Sequence, residues 1–84
     1  MKHPKARILV VEDDAALLQG LMDVLVFNGY EVHGSADGRE GLRAALEAPC
    51  DLVLLDVMLP GLDGLSACRE IRRRKPNQAV VMIT

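Results

Sequence analysis

Eighty-four residues and a mass of 9.2 kDa leave room for one small domain. Half of the residues are apolar and 26% are charged, a globular composition that excludes a disordered chain, and the longest apolar run is too short to cross a bilayer. No hydrophobic segment follows the basic start as in a secretory leader. With one phenylalanine, Phe27, and one tyrosine, Tyr30, there is no stacking platform for single-stranded nucleic acid. Cys50 and Cys68 are too few for a disulfide scaffold and read as reduced thiols of a cytoplasmic protein with no membrane partner.

The net charge of −2 hides a segregation. Eleven of the twelve acids lie between Glu12 and Asp63, where the bases are Arg39 and Arg43. Arg69, Arg72, Arg73, Arg74 and Lys75 form a basic run that reads as the solvated end of a helix, where cations complement the negative pole of the dipole, rather than as a nucleic-acid patch.

Along the chain, strands and helices alternate. Residues 7–11, Arg-Ile-Leu-Val-Val, are a β-branched apolar run suited to a strand covered on both faces. Asp14 is placed to cap a helix from about Ala15 to Phe27, with Leu17, Leu18, Leu21, Met22 and Leu25 as its apolar stripe. Asn28-Gly29 stops that helix, because both residues tolerate the left-handed conformation. Residues 30–34 form a shorter, more polar strand that belongs at a sheet edge. Asp37-Gly38 opens a second helix bearing Leu42, Ala45 and Leu46, which Pro49 closes. Residues 51–56, Asp-Leu-Val-Leu-Leu-Asp, make the most apolar strand and belong near the centre. Residues 58–64 read as a loop from their Pro and Gly content. A third helix then runs to about Lys75 with Leu65, Cys68 and Ile71 inward, and residues 79–83 are a fourth strand.

Four strands alternating with three helices predict an α/β fold with a parallel sheet and right-handed crossovers, and the polar second strand at one edge sets the order 2-1-3-4. The chain reverses its direction of travel between strands one and three, which opens a crevice at their carboxyl ends. Glu12-Asp13 and Asp56 sit at those two ends. Carboxylates so gathered repel unless a cation joins them, and hard oxygen ligands suit Mg²⁺, which takes one or two carboxylates plus a substrate phosphate. With no GxGxxG and no Walker A loop, phosphate here has to be bound through metal. No Cys, Ser or His is placed with a base partner, and His3 and His33 read as terminal and edge-strand residues. A strand-end aspartate, however, can itself be the nucleophile and form an acyl phosphate. Asp14, Asp37 and Asp63 read as helix caps or solvated loop acids.

Three blocks carry a resemblance: residues 8–14, Ile-Leu-Val-Val-Glu-Asp-Asp; residues 54–64, Leu-Leu-Asp-Val-Met-Leu-Pro-Gly-Leu-Asp-Gly; and residues 80–84, Val-Val-Met-Ile-Thr. In order and spacing they resemble the receiver domain of bacterial two-component response regulators, over the whole chain. The resemblance implies a flavodoxin-like fold and a phosphoacceptor signalling domain rather than an enzyme, with assisted self-phosphorylation as its chemistry. It implies Asp56 as phosphoacceptor, Mg²⁺ held by Asp13, by Glu12 through water, by Asp56 and by the Met58 carbonyl, and Thr84 as the switch hydroxyl. The phosphoryl donor is then a phosphohistidine on a sensor histidine kinase. Glu12 and the Met-Leu-Pro-Gly loop resemble the subfamily fused to a winged-helix domain, so DNA is reached only through a domain absent from this chain.

The pattern departs at Thr84. On this resemblance, residues 1–84 are expected to be a receiver domain lacking the family's usual last helix-strand-helix portion, and with it a strand-five lysine that pairs with the phosphoryl group. The fold is thus expected to be an incomplete flavodoxin-like receiver with impaired switching. Helix one alone covers roughly two strands of four, given a helix width of about 10 Å and a strand spacing of about 4.8 Å. One face of strands three and four is then bare, and a homodimer through the exposed fourth strand is expected. The alternative is a phosphorylation-silent interaction or dimerisation module derived from a receiver. A phosphatase of the haloacid-dehalogenase type is disfavoured because Met58 stands where its general acid belongs, and a flavin carrier is disfavoured by the acidic crevice.

Overall fold

The computed structural model describes residues 5–83. Its main sheet is built from β1 (Arg7–Val11), β2 (Glu31–Ser35), β3 (Leu52–Asp56) and β6 (Ala79–Ile83), and its helices are α1 (Ala15–Phe27), α2 (Gly38–Glu47) and α3 (Gly64–Arg74). The four strands are parallel in the order β2-β1-β3-β6, the predicted order, with the polar strand at one edge. Strand ends differ from the prediction by one residue: β2 runs from Glu31 and β3 from Leu52.

Residues 58–63 correct the expectation of a plain loop. Met58–Leu59 (β4) and Leu62–Asp63 (β5) pair as a short antiparallel hairpin. Pro60-Gly61 makes its turn, and Gly61 has φ +72°, a conformation that penalises a side chain. Gly29 closes α1 in the same way at φ +92°, as the sequence predicted.

Each helix begins on an aspartate. Asp14 accepts from Leu17 N at 3.0 Å, Asp37 from Arg39 N at 2.8 Å and Glu40 N at 3.1 Å, and Asp63 from Leu65 N at 3.1 Å. These bonds satisfy amide donors that the first helical turn leaves free. Of the two roles open to these three acids, helix cap or solvated loop acid, all three take the cap.

Side chains alternate across the sheet. Leu9, Val11, Val53 and Leu55 face α2 and α3, where they form the core with Ala45, Leu59, Ala67 and Ile71, and Cys50 and Cys68 pack at its border. Lys75, beyond the end of α3, donates Nζ to the carbonyls of Ala45 and Ala48, tying the C-terminus of α2 to that of α3. The arginines of the last turn of α3 are exposed, and Glu70 pairs with Arg73 and Arg74.

Among the described residues, the opposite face is covered by α1 alone. Leu18 and Met22 press on Gly34 of β2, where a β-carbon would collide with the Met22 sulfur. No residue of α1 is buried. Leu17, predicted inward, is 47% exposed, and so is its neighbour on the same flank, Val24, at 61%. The stripe was read correctly as amphipathic, but α1 lies over β1 and β2, so its flank toward β3 and β6 overhangs uncovered sheet. There Leu52 and Leu54 are half-buried and Val81 is 46% exposed. Leu65, also predicted inward, is exposed, because Ala67 and Ile71 set the buried side of α3.

Candidate phosphate and metal site

The order β2-β1-β3-β6 places consecutive strands on either side of the β1–β3 boundary, so the two connections leaving those strands diverge and leave a crevice at their carboxyl ends. The register Val11↔Leu55 brings the next residues, Glu12 and Asp56, abreast on neighbouring strands. Asp13 follows Glu12 before the cap of α1. One carboxylate oxygen from each of Glu12, Asp13 and Asp56 lies within 4.8 Å of the others. The expected convergence of these three side chains is therefore present.

They are not equivalent. Glu12 is 3% and Asp56 7% exposed, whereas Asp13 faces solvent. The Glu12 carboxylate folds back over the start of α1, where its Oε2 accepts from Asp14 N at 3.1 Å. Burial pushes its pKa above the ordinary 4.5, the neighbouring Asp56 and Asp13 carboxylates push the same way, and the Asp14 amide opposes them. A buried acid with two acidic neighbours is a poor arrangement for stability and a good one for a divalent cation. Oxygen donors of this number and closeness fit a hard ion such as Mg²⁺, which would also complete its shell with water.

Asp56 is further oriented by its own loop. Met58 N donates to Asp56 Oδ1 at 2.9 Å, Val57 N donates to the Ile83 carbonyl at 2.9 Å, and Gly64 N donates to the Val57 carbonyl at 3.1 Å. The Met58 amide as a clamp on Asp56 was not foreseen in the sequence; only its carbonyl was considered. An Asp-x-x spacing with the aspartate oxygen bonded two residues on is an Asx-turn signal, and that signal was available. The Met58 side chain is largely exposed beside the carboxylates, as part of a shallow depression lined by Asp13, Val57, Leu59, Pro60, Leu62 and Asp63. Thr84 lies outside the described residues.

Together, these features are a doubly wound parallel sheet with an acid cluster at its switch point, where three carboxylates could hold a divalent cation. Residues 8–84 match the family model described as the response regulator receiver domain. The chain belongs to that family.

Among curated relatives, it is 45% identical over 78 residues to the response regulator MprA of Mycolicibacterium vanbaalenii, an alignment covering 93% of this chain and 34% of MprA. The chain thus spans about a third of the length of that relative. Among solved structures, the receiver domain of a sensor histidine kinase from Pseudomonas aeruginosa, with magnesium coordinated in its active-site cleft, has a TM-score of 0.88 at 36% identity over 94% of this chain and 66% of its own. The response regulator TrrA of Thermotoga maritima, in complex with Mg²⁺ and BeF, has a TM-score of 0.87 at 36% identity over 90% of this chain and 66% of TrrA. TrrA is also seen in complex with the histidine kinase ThkA, again with a TM-score of 0.87 and 36% identity, over 93% of this chain and 67% of TrrA. Among the described residues no helix is long and apolar enough to cross a membrane.

Proposed function

We propose that this chain takes a phosphoryl group onto Asp56 from a phosphohistidine on a sensor histidine kinase in the cytoplasm. The observation that carries the reading is the meeting of the Glu12, Asp13 and Asp56 carboxylates within 4.8 Å at the switch point. The TrrA–ThkA complex, a similar domain on a histidine kinase, supports the donor.

Asp13 and Asp56, with the Met58 carbonyl, would hold Mg²⁺ directly and Glu12 through water. When bound, that ion supplies neutralising charge to the carboxylates and to the incoming phosphoryl oxygens. The protein's own part is positioning. The Met58 amide holds Asp56 Oδ1, so the carboxylate presents a fixed edge to the donor. A carboxylate oxygen of Asp56 attacks phosphorus, the P–N bond breaks, and its electron pair goes to the imidazole, which takes a proton from solvent. Thr84, next in sequence after Ile83, is assigned the switch hydroxyl. Any DNA contact belongs to a domain outside these residues, in keeping with the one-third share of MprA that they span.

The test is intact-mass analysis after incubation with Mg²⁺ and a small phosphodonor. A single phosphoryl adduct on the parent chain and none on Asp56→Asn is expected. A parent chain that is folded by circular dichroism yet carries no adduct would overturn the reading.

A second reading, a phosphorylation-silent dimerisation module, is favoured by the uncovered face of β3 and β6. Val81 lies exposed on the edge strand β6, and Leu17 and Val24 of α1 are exposed as well, so apolar side chains meet water on both elements. On this reading light scattering gives the dimer mass, and Val81→Lys returns the monomer. A parent chain that is monomeric at the highest concentration reached would sink it.

A further inference from the structure

Gly64 is the first residue of α3, directly after the cap Asp63. Its backbone does not need glycine's freedom, since its φ is not positive, and glycine is among the poorest helix formers, so nothing in its conformation favours it over alanine. Space forbids alanine. A β-carbon built on Gly64 would lie 2.5 Å from the Asp56 carbonyl oxygen and 2.8 Å from both Cα and the carbonyl oxygen of Val57. All three obstacles are backbone atoms of the strand end that carries Asp56, so none can swing away as a side chain would.

We infer that Gly64 is a positioning residue for the acid pocket: its bare α-carbon lets the start of α3 rest on the Asp56–Val57 peptide and so fixes where the Asp56 carboxylate and the Met58 backbone point. This rests on the phosphoacceptor reading above. The contact has two sides. The Gly64 amide donates to the Val57 carbonyl at 3.1 Å, and one residue on, the Met58 amide donates to Asp56 Oδ1 at 2.9 Å. A rotation of the Val57 peptide therefore moves both the carboxylate and the Met58 carbonyl proposed as ligands. The helix cannot yield freely either, because Ala67 and Ile71 are buried against the core. β3 is held by β1 on one side and β6 on the other. With both bodies anchored, an added methyl group is accommodated where restraint is weakest, in the 56–58 segment.

Mg²⁺ binding measured by calorimetry tests this on the parent, on Gly64→Ala and on Ile71→Val, the last loosening the same helix without touching the Asp56 peptide. Gly64→Ala should weaken Mg²⁺ binding about 10- to 100-fold, the usual cost of disturbing residues that orient ligands, while Ile71→Val keeps the parent's affinity despite its lower melting temperature. Folded Gly64→Ala binding Mg²⁺ like the parent would overturn the positioning role alone. A parent that binds no Mg²⁺ would overturn the phosphoacceptor reading and the positioning role with it. Should Gly64→Ala not fold, amide resonances of the parent decide: the Gly64 signal should move through the Mg²⁺ titration in step with Asp13, while that of Gly20, in the exposed side of α1, stays. A stationary Gly64 signal would overturn the inference.

Discussion

Replacing Asp56 by Asn should make the metal-free protein more stable and remove most of its stabilisation by Mg²⁺. Glu12 and Asp56 are both buried, and carboxylate oxygens of the cluster lie within 4.8 Å of one another. Two unit charges at that distance repel by about 3.5 kcal/mol at an effective dielectric of 20, and exposure of Asp13 lets water screen part of the total, so a gain of about 1–2 kcal/mol is expected in urea unfolding. The pH dependence has a definite sign. Glu12 has a pKa raised above 4.5 in the folded chain, so its contribution to stability is fully present below 4.5 and is lost as pH rises through the raised value. The metal-free parent should therefore weaken over that window, and Asp56→Asn should weaken less. Mg²⁺ at a hundred times its dissociation constant should return about 2.7 kcal/mol to the parent. An Asn variant no more stable than the parent without metal, or one that Mg²⁺ stabilises equally, would contradict this account.

The second large effect concerns the one-sided core. An 84-residue domain is held by about 4–13 kcal/mol, from roughly 0.05–0.15 kcal/mol per residue. Leu55, 1% exposed and packed among Val53, Ala67 and Ile71, should cost about 2–5 kcal/mol on truncation to Ala, enough to leave much of the chain unfolded at 37 °C if the parent sits at the low end of that range. Leu17→Ala, the same chemical change on the other face, should cost under about 1 kcal/mol, because nearly half of that side chain already meets water. Denaturant melts at low protein concentration compare the two. Equal losses would mean that the α1 face is covered in solution, the result expected if copies of the chain associate through it.

How much of this was legible in the sequence follows from what each signal measures. β1, β3 and β6 were legible because the strands of a parallel sheet carry apolar residues on both faces, and 8–11, 52–55 and 79–83 do, even though one face of β3 and β6 is left uncovered by α1. Strand order followed from one polar strand, and order alone carried Glu12 and Asp56 to neighbouring positions, so the acid cluster was legible before any coordinate. The caps were legible because an Asp ahead of an apolar stripe has a local hydrogen bond to make. Leu17 and Leu65 were misplaced for a different reason: periodicity reveals that a helix has two faces, but the width of the buried one depends on what lies beneath. The 58–63 hairpin escaped because two-residue strands are too short to show a period. Gly64 looked like an ordinary turn residue, since nothing local tells that a strand from eight residues earlier passes within contact of its α-carbon.

The parallel register has a consequence for when the acid pocket comes into being. β1 and β2 are joined by one helix and can pair early. β1 and β3 meet only after a closure such as that between Arg7 and Asp51, 44 residues apart, and contacts of that span are the slow ones in folding. Glu12 and Asp13 stand at the end of one of these strands and Asp56 at the end of the other, so the three carboxylates are strangers until this last zipper has run its full length to Val11 and Leu55. Cation binding in a refolding experiment should therefore appear with the slowest phase and never ahead of it, which makes the ion a clock for completion of the sheet.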